Sequence, residues 1–523
     1  MPPSRPEPAS GPLGCYRFHA MKPDSGVRPY PEIAALAAHV ASLYELSTVL
    51  DVGLSWTKEI GVLKPALKVV GIGQWGSGSG RPSSGFPFRT LVNIDEDRGS
   101  GLISRIDPSG SLVVVTGPSG SLADADMGMA VMDAAIRRAP VTIVATTTPE
   151  TVLTRLASMG LQPSFAGRTR ATEADGERSA TVLIVDQLLK DPGKAPSDFR
   201  AVAIMTAYNE EDIIGPSIGK LIADGLGVYV IDNWSTDRTY EIVERFRGKG
   251  LVGLERFPDA PSAQYEWRSL LRRVEVVAPG IEADWCVHHD ADERRSGPWD
   301  GVGLRDALWR VDRAGFSAVD HVVLNFRPTD NGFQPGGDFE SHFRHFEFGR
   351  SPGLLLQIKA WKNTGPVDLA GSGGHEAVFR GRRVFPYRFE LKHYPIRSQS
   401  HGELKVFRDR VARWDPRERA LGWHEHYNDV QPQQSFLRDI GELIEDRGAE
   451  TRTRFLPEML TGAGLADRSV PAWALGGWTG RTVYLSMSRL VRSRAYDRLR
   501  TFPLFQVEVI KKLRRRLRRR LAA

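Results

Sequence analysis

Two aspartates one residue apart, Asp290 and Asp292, follow Trp285-Cys286-Val287-His288-His289. In an extended chain, residues two apart project to the same side, so both carboxylates address one space. Bare carboxylates repel each other and are tolerated beside water, a cation or a metal ion. Alone, the pattern also fits a strand running into an acidic surface loop. Two more polar loops in the same stretch argue for chemistry. Tyr208-Asn209-Glu210-Glu211-Asp212 follows the apolar run 201–206, and Asp232-Asn233-Trp234-Ser235-Thr236-Asp237-Arg238-Thr239 follows 227–231. All three loops close strand-like segments, and in an open parallel sheet such ends share the edge where ligands bind.

The elements that must position these loops can be read from periodicity. Strands are expected at 201–206, 227–231, 251–256 and 285–289, with helices over 211–223 and 236–247. Ser235 or Thr236 suits the N-cap of the second helix. Upstream, strands at 48–52, 68–72, 112–115, 141–145 and 180–185 alternate with helical stretches such as 129–138 and 150–159. This implies a doubly wound α/β unit interrupted by the Gly/Ser-rich loop 76–85. The boundaries that follow are a Pro/Ser/Gly-rich disordered N-terminus over 1–30, a Rossmann-like domain over 31–190, and a linker over 191–198. A second α/β domain spans 199–430, and a helical C-terminal region runs from 431 to 523.

A chain of 523 residues, 41% apolar and 25% charged, has room for two or three ordinary globular domains. No uninterrupted apolar run is long enough to cross a bilayer, and the Pro-rich start lacks a signal-peptide core. Cys15 and Cys286 are too few for a disulfide framework, which fits a reducing, cytoplasmic setting. The net charge of +7 is concentrated in the tail. Lys511, Lys512, Arg514, Arg515, Arg516, Arg518, Arg519 and Arg520 supply eight positive charges without an acid, leaving the rest of the chain at −1. Ile510, Leu513, Leu517 and Leu521 line one face of that segment, so 507–523 suits an anionic membrane surface, with a peripheral position at the inner face of the cell membrane. Nucleic acid is not the expected partner, because no aromatic residue interrupts the basic run.

The ordered triple of loops resembles family-two-like glycosyltransferases of the GT-A fold over about 199–410. The matching residues are Tyr208-Asn209-Glu210-Glu211, then Asp232-Asn233-x-Ser235-x-Asp237-x-Thr239, then Asp290-x-Asp292. The resemblance implies transfer of a sugar from a nucleoside-diphosphate donor to a glycan or lipid-linked acceptor, by inversion. It also implies Mn²⁺ or Mg²⁺ as cofactor to neutralise the departing diphosphate. Asp292 would contact the metal, Asp290 the ribose or a metal-bound water, and Asp232 and Glu210 the nucleoside. Tyr208, Asn209, Asn233, Ser235 and Asp237 would complete the donor site. Downstream, Lys392-His393-Tyr394-Pro395-Ile396-Arg397-Ser398 supplies His393 as a third metal ligand, or as a packed histidine beside Tyr394. Arg397 and Lys405 would bind diphosphate oxygens or stand as surface cations.

Inversion needs a general base. Glu376, after the pair Gly373-Gly374 that would let a ligand approach, is the first choice, with Asp338 and Glu340 in reserve; each is also compatible with a solvated loop. Val49-Leu50-Asp51-Val52-Gly53 resembles the opening of a Rossmann-like methyltransferase. Leu54 and Ser55 depart from its pattern, and the acid expected after the next strand is absent at Gly73-Gln74, with Asp95 as a substitute. The alternatives to glycosyl transfer are a methyltransferase acting through 31–190 and a non-catalytic protein that binds sugar nucleotides or glycans.

Overall fold

The computed structural model describes residues 31–46, 48–52, 68–73, 90–93, 111–116, 136–146, 149–173, 176–350, 354–415, 418, 431, 433–462 and 465. The described residues form two compact units, one within 1–191 and 448–469, the other within 192–447. The loops 53–55 and 76–85, Gln74, Asp95, most of 129–138 and the basic tail 507–523 lie outside the described residues.

In the first unit, α1 (Pro31–Leu43) buries Ile33, Leu36, Ala37 and Val40, the three-and-four spacing of one helix face. Seven strands follow: β1 (Thr48–Val52), β2 (Lys68–Gly73), β3 (Thr90–Asn93), β4 (Ser111–Thr116), β5 (Val141–Thr146), β6 (Phe165–Glu173) and β7 (Gly176–Asp186). Between β5 and β6 lies α2 (Pro149–Ser158). The sheet order is β3-β2-β1-β4-β5-β7-β6, and β7 is antiparallel to both its neighbours. This is a doubly wound sheet whose order reverses beside β1.

The described residues from 431 onward, where a helical region is expected, fall to both units. Helices Ala449–Arg454 and Leu456–Thr461 belong to the first unit, where they pack on β6. Gly167 makes that contact possible, since a Cβ there would lie 2.5 Å from Leu456 Cβ. Residues before Gly448 stay with the second unit and contribute a single 3-10 turn, Ile440–Glu442, and a short edge strand.

The second unit joins two sheets. The first uses β8 (Ala201–Ala207), β9 (Gly227–Asp232), β10 (Leu251–Arg256) and β11 (Trp285–Asp290), all parallel, in the order β10-β9-β8-β11. Strand β8 is buried along its whole length, as expected of an apolar run inside a parallel sheet. The helices α3 (Ile214–Ala223), α4 (Thr239–Glu244) and α5 (Trp267–Val277) separate these strands in sequence. The chain leaves this sheet at Asp290 and enters the second at β12 (Glu293–Ser296).

After α6 (Leu304–Arg313) come β13 (Ala318–Val319), β14 (His321–Phe326), α7 (Phe339–His342), β15 (His345–Phe348), β16 (Ala360–Lys362) and β17 (Phe389–His393). The helix α8 (Gln399–Glu403) continues as a π-helical segment, Leu404–Arg410, and the edge strand β18 (Ile444–Glu445) closes the unit. Strands β16 and β13 extend the first sheet, whereas β12-β17-β14-β15-β18 make the second. The Asp290–Asp292 segment is therefore the hinge of chain direction between two sheets.

Candidate functional site

Register brings the three polar loops together. Asp290 pairs with Thr206 across β11 and β8, Ala207 with Asp232 across β8 and β9, and Asp232 with Arg256 across β9 and β10. In the second sheet, His393 lies between Glu293 on one side and Asn325 on the other. Asp292 sits where these rows meet, and its carbonyl accepts the Tyr394 N–H at 2.8 Å.

The first two loops are stitched to each other. Ser235 Oγ accepts the Asn209 N–H at 3.0 Å, Asn209 Oδ1 accepts the Thr236 N–H at 2.8 Å, and Asp237 accepts the Glu211 and Thr239 N–H groups at 3.1 and 2.9 Å. Asn233 donates to the Phe257 carbonyl at 2.9 Å. These bonds delay both helices: α3 starts at Ile214 and α4 at Thr239, and Arg238 rather than Ser235 or Thr236 takes the N-cap position without a side-chain cap. Asn209 and Trp234 have left-handed backbones, φ +53° and +59°, a costly conformation for a tryptophan. Trp234 is held there by its indole bond to the Pro258 carbonyl and by the Arg256 guanidinium 5.0 Å from its ring. Arg256 also lies 4.3 Å from the Tyr240 ring and 3.6 Å from Asp232. Asp232 is fully buried, and that burial pushes its carboxyl above the usual range.

Around Asp290 and Asp292 the acids are answered by cations. Lys359 donates to Asp290 Oδ2 at 2.9 Å and to Glu293 at 3.2 Å, and Arg295 donates to Glu293 at 2.6 Å. Lys405 donates to Asp292 Oδ2 at 2.8 Å and to Glu210 at 2.9 Å. Arg397 grips Asp212 with two bonds of 2.9 and 2.7 Å and Glu210 with one of 2.6 Å. It is a buried clamp and not a surface cation. Burial alone would raise the Asp290 and Asp292 carboxyls, but Lys359 beside the first and Lys405 beside the second hold both below the carboxylate range.

His393 is set differently. Its Nδ1 lies 3.0 Å from Asn325 Oδ1, and its Nε2 faces Asp292 Oδ1 at 3.7 Å. With Nδ1–H donated to Asn325, the ring presents a lone pair to a carboxylate oxygen. Burial holds the imidazole below its ordinary value and therefore neutral. Two lone-pair atoms facing each other call for a cation between them, and an orienting bond on the far ring nitrogen is the usual support of a metal-ligating histidine. The donor set of Asp292 and His393 fits a divalent ion. The Asp290 carboxylate is turned to Lys359 and, at 3.4 Å, to Thr206.

No family model matches this chain, and no curated protein matches it. Among solved structures it is similar to residues 1–349 of TarS from S. aureus, at 15% identity and a TM-score of 0.23, over 38% of this chain and 60% of that one. The UDP complex of TarS gives 16% and 0.23, over 40% and 65%. An N-methyltransferase, NodS from Bradyrhizobium japonicum, with S-adenosyl-L-homocysteine, gives 15% and 0.20, over 28% and 84%. The chain thus spans less than two thirds of the TarS structures. Likeness of this degree assigns no activity.

Another group of metal-ligating types, Glu210, Asp212 and His401, has its ligand atoms within 4.8 Å of one another. The Arg397 guanidinium is bonded to both its acids, Lys405 bonds Glu210 as well, and His401 Nδ1 accepts the Arg397 backbone N–H at 3.3 Å.

The three acids expected to act as base are all paired. Glu376 is buried against Arg382 at 3.1 Å. The glycines before it are filled by protein: Trp267 donates to the Gly373 carbonyl at 3.1 Å, and a Cβ on Gly374 would meet Leu271 at 2.9 Å. Asp338 and Glu340 bond Lys220 of α3 at 3.1 and 2.8 Å. Glu340 also reaches Arg294 at 3.3 Å, and Arg294 alternates with Glu293 on β12, so Glu340 lies on the opposite face from Lys359. Sequence reasoning missed Lys359, Asn325, Asp212 and Arg256. Only Asp212 had a local signal, as the last acid of its loop. Among the described residues no helix is long and apolar enough to cross a membrane.

Proposed function

We propose that residues 199–410 form a GT-A-type glycosyltransferase unit that moves a sugar from a nucleoside-diphosphate donor, assisted by Mn²⁺ or Mg²⁺. The observation that carries this reading is the 3.7 Å approach of Asp292 Oδ1 to His393 Nε2, at the edge where β8, β9 and β11 end. Asp292 and His393 would hold the ion, which when bound supplies Lewis-acid neutralisation of the leaving diphosphate. Imidazole among the ligands favours Mn²⁺ over Mg²⁺.

Asp290, fixed by Lys359, offers its remaining acceptor capacity to a sugar or ribose hydroxyl. Asp232 suits the imide N–H of a uracil-type base. Reaching it requires Arg256 to swing aside, leaving the base between Trp234 and Tyr240. Tyr208 lines the same end, 4.1 Å from the Arg413 guanidinium. Glu376 is the acid best suited to deprotonate an acceptor hydroxyl, once released from Arg382. The paired state of that acid favours, as a second reading, a protein that binds a sugar nucleotide without turning it over. For the first unit, the sheet order supports a methyltransferase-like fold, with its ligand edge beside β1.

Calorimetry of UDP binding with and without Mn²⁺ tests the assignment. In Asp292→Asn the metal-dependent gain in affinity is expected to vanish. Asn keeps an oxygen for Lys405, and Glu210 still pairs that ammonium, so the variant should fold with a lowered thermal midpoint. Undiminished Mn²⁺-dependent affinity would end the reading.

A further inference from the structure

Asp292 is divided between two claims. Its Oδ1 faces His393, while its Oδ2 accepts from Lys405 at 2.8 Å. Lys405 comes from the π-helical segment Leu404–Arg410, a geometry that re-aims side chains and recurs at functional positions. It lines a small cavity with Tyr208, Glu210, His401, Asp409 and Arg410. Its two acceptors, Glu210 and Asp292, occupy two of the three ammonium N–H groups. Arg397, beside it, is locked by three bonds to Asp212 and Glu210. Of the two cations that reach Glu210, only Lys405 combines a cavity-lining position with a flexible stem and a point charge.

Local charge makes the consequence definite. Glu210, Asp212, Asp290, Asp292 and Glu293 are opposed by Lys359, Lys405, Arg295 and Arg397, which leaves one negative charge unmatched. Without Lys405, the Asp292 end carries one more, which attracts a free divalent ion and repels a diphosphate. With it, Asp292 is partly spent before any metal arrives.

We infer that Lys405 is a tethered counter-cation that weakens metal binding to the empty site and moves to the donor's diphosphate when the nucleotide enters. Metal and donor are thereby made to bind together. The inference rests on the donor-site reading of the previous subsection and assigns to one residue opposite effects on the two ligands.

The test is calorimetry on the full chain, titrating Mn²⁺ alone and then UDP at saturating Mn²⁺, for the wild type and Lys405→Met. Mn²⁺ alone should bind Lys405→Met roughly fivefold more tightly, and UDP roughly tenfold more weakly, the latter a loss of about 1.4 kcal/mol. Should Lys405→Met fail to fold, Lys405→Gln keeps a donor for one of the two carboxylates, and the same split is expected. Mn²⁺ affinity that is unchanged or weaker in the folded variant, or UDP affinity equal to wild type, overturns the inference. If the wild type binds no nucleoside diphosphate with Mn²⁺, with GDP and CDP run in parallel, the donor-site reading fails and this inference falls with it. A wild type that binds UDP beside a variant lacking the split removes only the role of Lys405.

Discussion

The Glu210–Asp212–His401 group and the Asp292–His393 pair are made of the same kinds of atoms, and they differ in what stands among them. In the first, the Arg397 guanidinium is bonded to both carboxylates at 2.6–2.9 Å, and Lys405 adds a bond of 2.9 Å to Glu210, so both acids are held by cations. In the second, an imidazole nitrogen looks across 3.7 Å at a carboxylate oxygen, and the cations stand at the other oxygen, Lys405 on a flexible stem at 2.8 Å and Arg397 farther off at 3.9 Å. Crowding of acids therefore does not by itself make a metal site. What matters is whether the neutralising charge is built in rigidly, built in loosely, or left to be supplied.

The strongest way to break this contrast is to remove the rigid cation. Arg397→Met would strand Asp212 and leave Glu210 to Lys405 alone, and truncating one partner of a buried ion pair typically costs about 3–5 kcal/mol. Urea unfolding should show a loss of that order. Mn²⁺ should then raise the thermal midpoint of the variant more than that of the wild type, because Asp212 would be left without its cation beside two further ligand-type residues, Glu210 and His401. A loss below about 1 kcal/mol would mean that water already relieves these acids, and the contrast would dissolve.

A smaller effect comes from protons. His288 and His375 are both pushed down to about 4 by burial, so they are neutral when folded. The unfolded chain, with histidines near the ordinary value of about 6.5, binds more protons between those two values. Their contribution is whole above pH ~6.5 and is lost as pH falls toward 4. The contribution of Asp292, whose carboxyl is held down by Lys405, persists to lower pH and is lost only below the ordinary carboxylate value. Thermal midpoints from pH 8 to 4 should decline first in the histidine window. His288→Leu, at a ring with no hydrogen-bond partner, should flatten that decline. An unaltered slope would assign the loss elsewhere.

The sequence exposed what is local and hid what is brought from afar. Strands β8, β9 and β11 were readable because parallel central strands are continuous apolar runs, and the loops after them because their polar residues stand out against those runs. Strands β3 and β6 were not anticipated; the latter, Phe165–Glu173, alternates polar residues along much of its length. Lys359 looks like an ordinary lysine before a short strand, and only the sheet that sets it against Asp290 and Glu293 makes it a buried ammonium. His393 could be picked from its own segment, yet what aims it is Asn325, contributed by β14. Gly373-Gly374 suggested room for a ligand, whereas α5 fills that room with Trp267 and Leu271.

The smallest expected effect sharpens the comparison from the opposite side. Asp338 and Glu340 are also acids beside a cation, but Lys220 and its partners are partly exposed, and Asp338 is 54% accessible. Water screens such a pair, which is worth roughly 0–1 kcal/mol. The double variant Asp338→Asn, Glu340→Gln should therefore shift stability by less than about 1 kcal/mol and leave Mn²⁺ and UDP affinities at wild-type values. Donor turnover should be equally unaffected, since Glu340 shares the face of Arg294 and not that of Lys359. A variant that still binds donor but no longer transfers would make one of these acids the base. It would then be the exposed, loosely paired carboxylate, and not the buried Glu376, that does the proton chemistry.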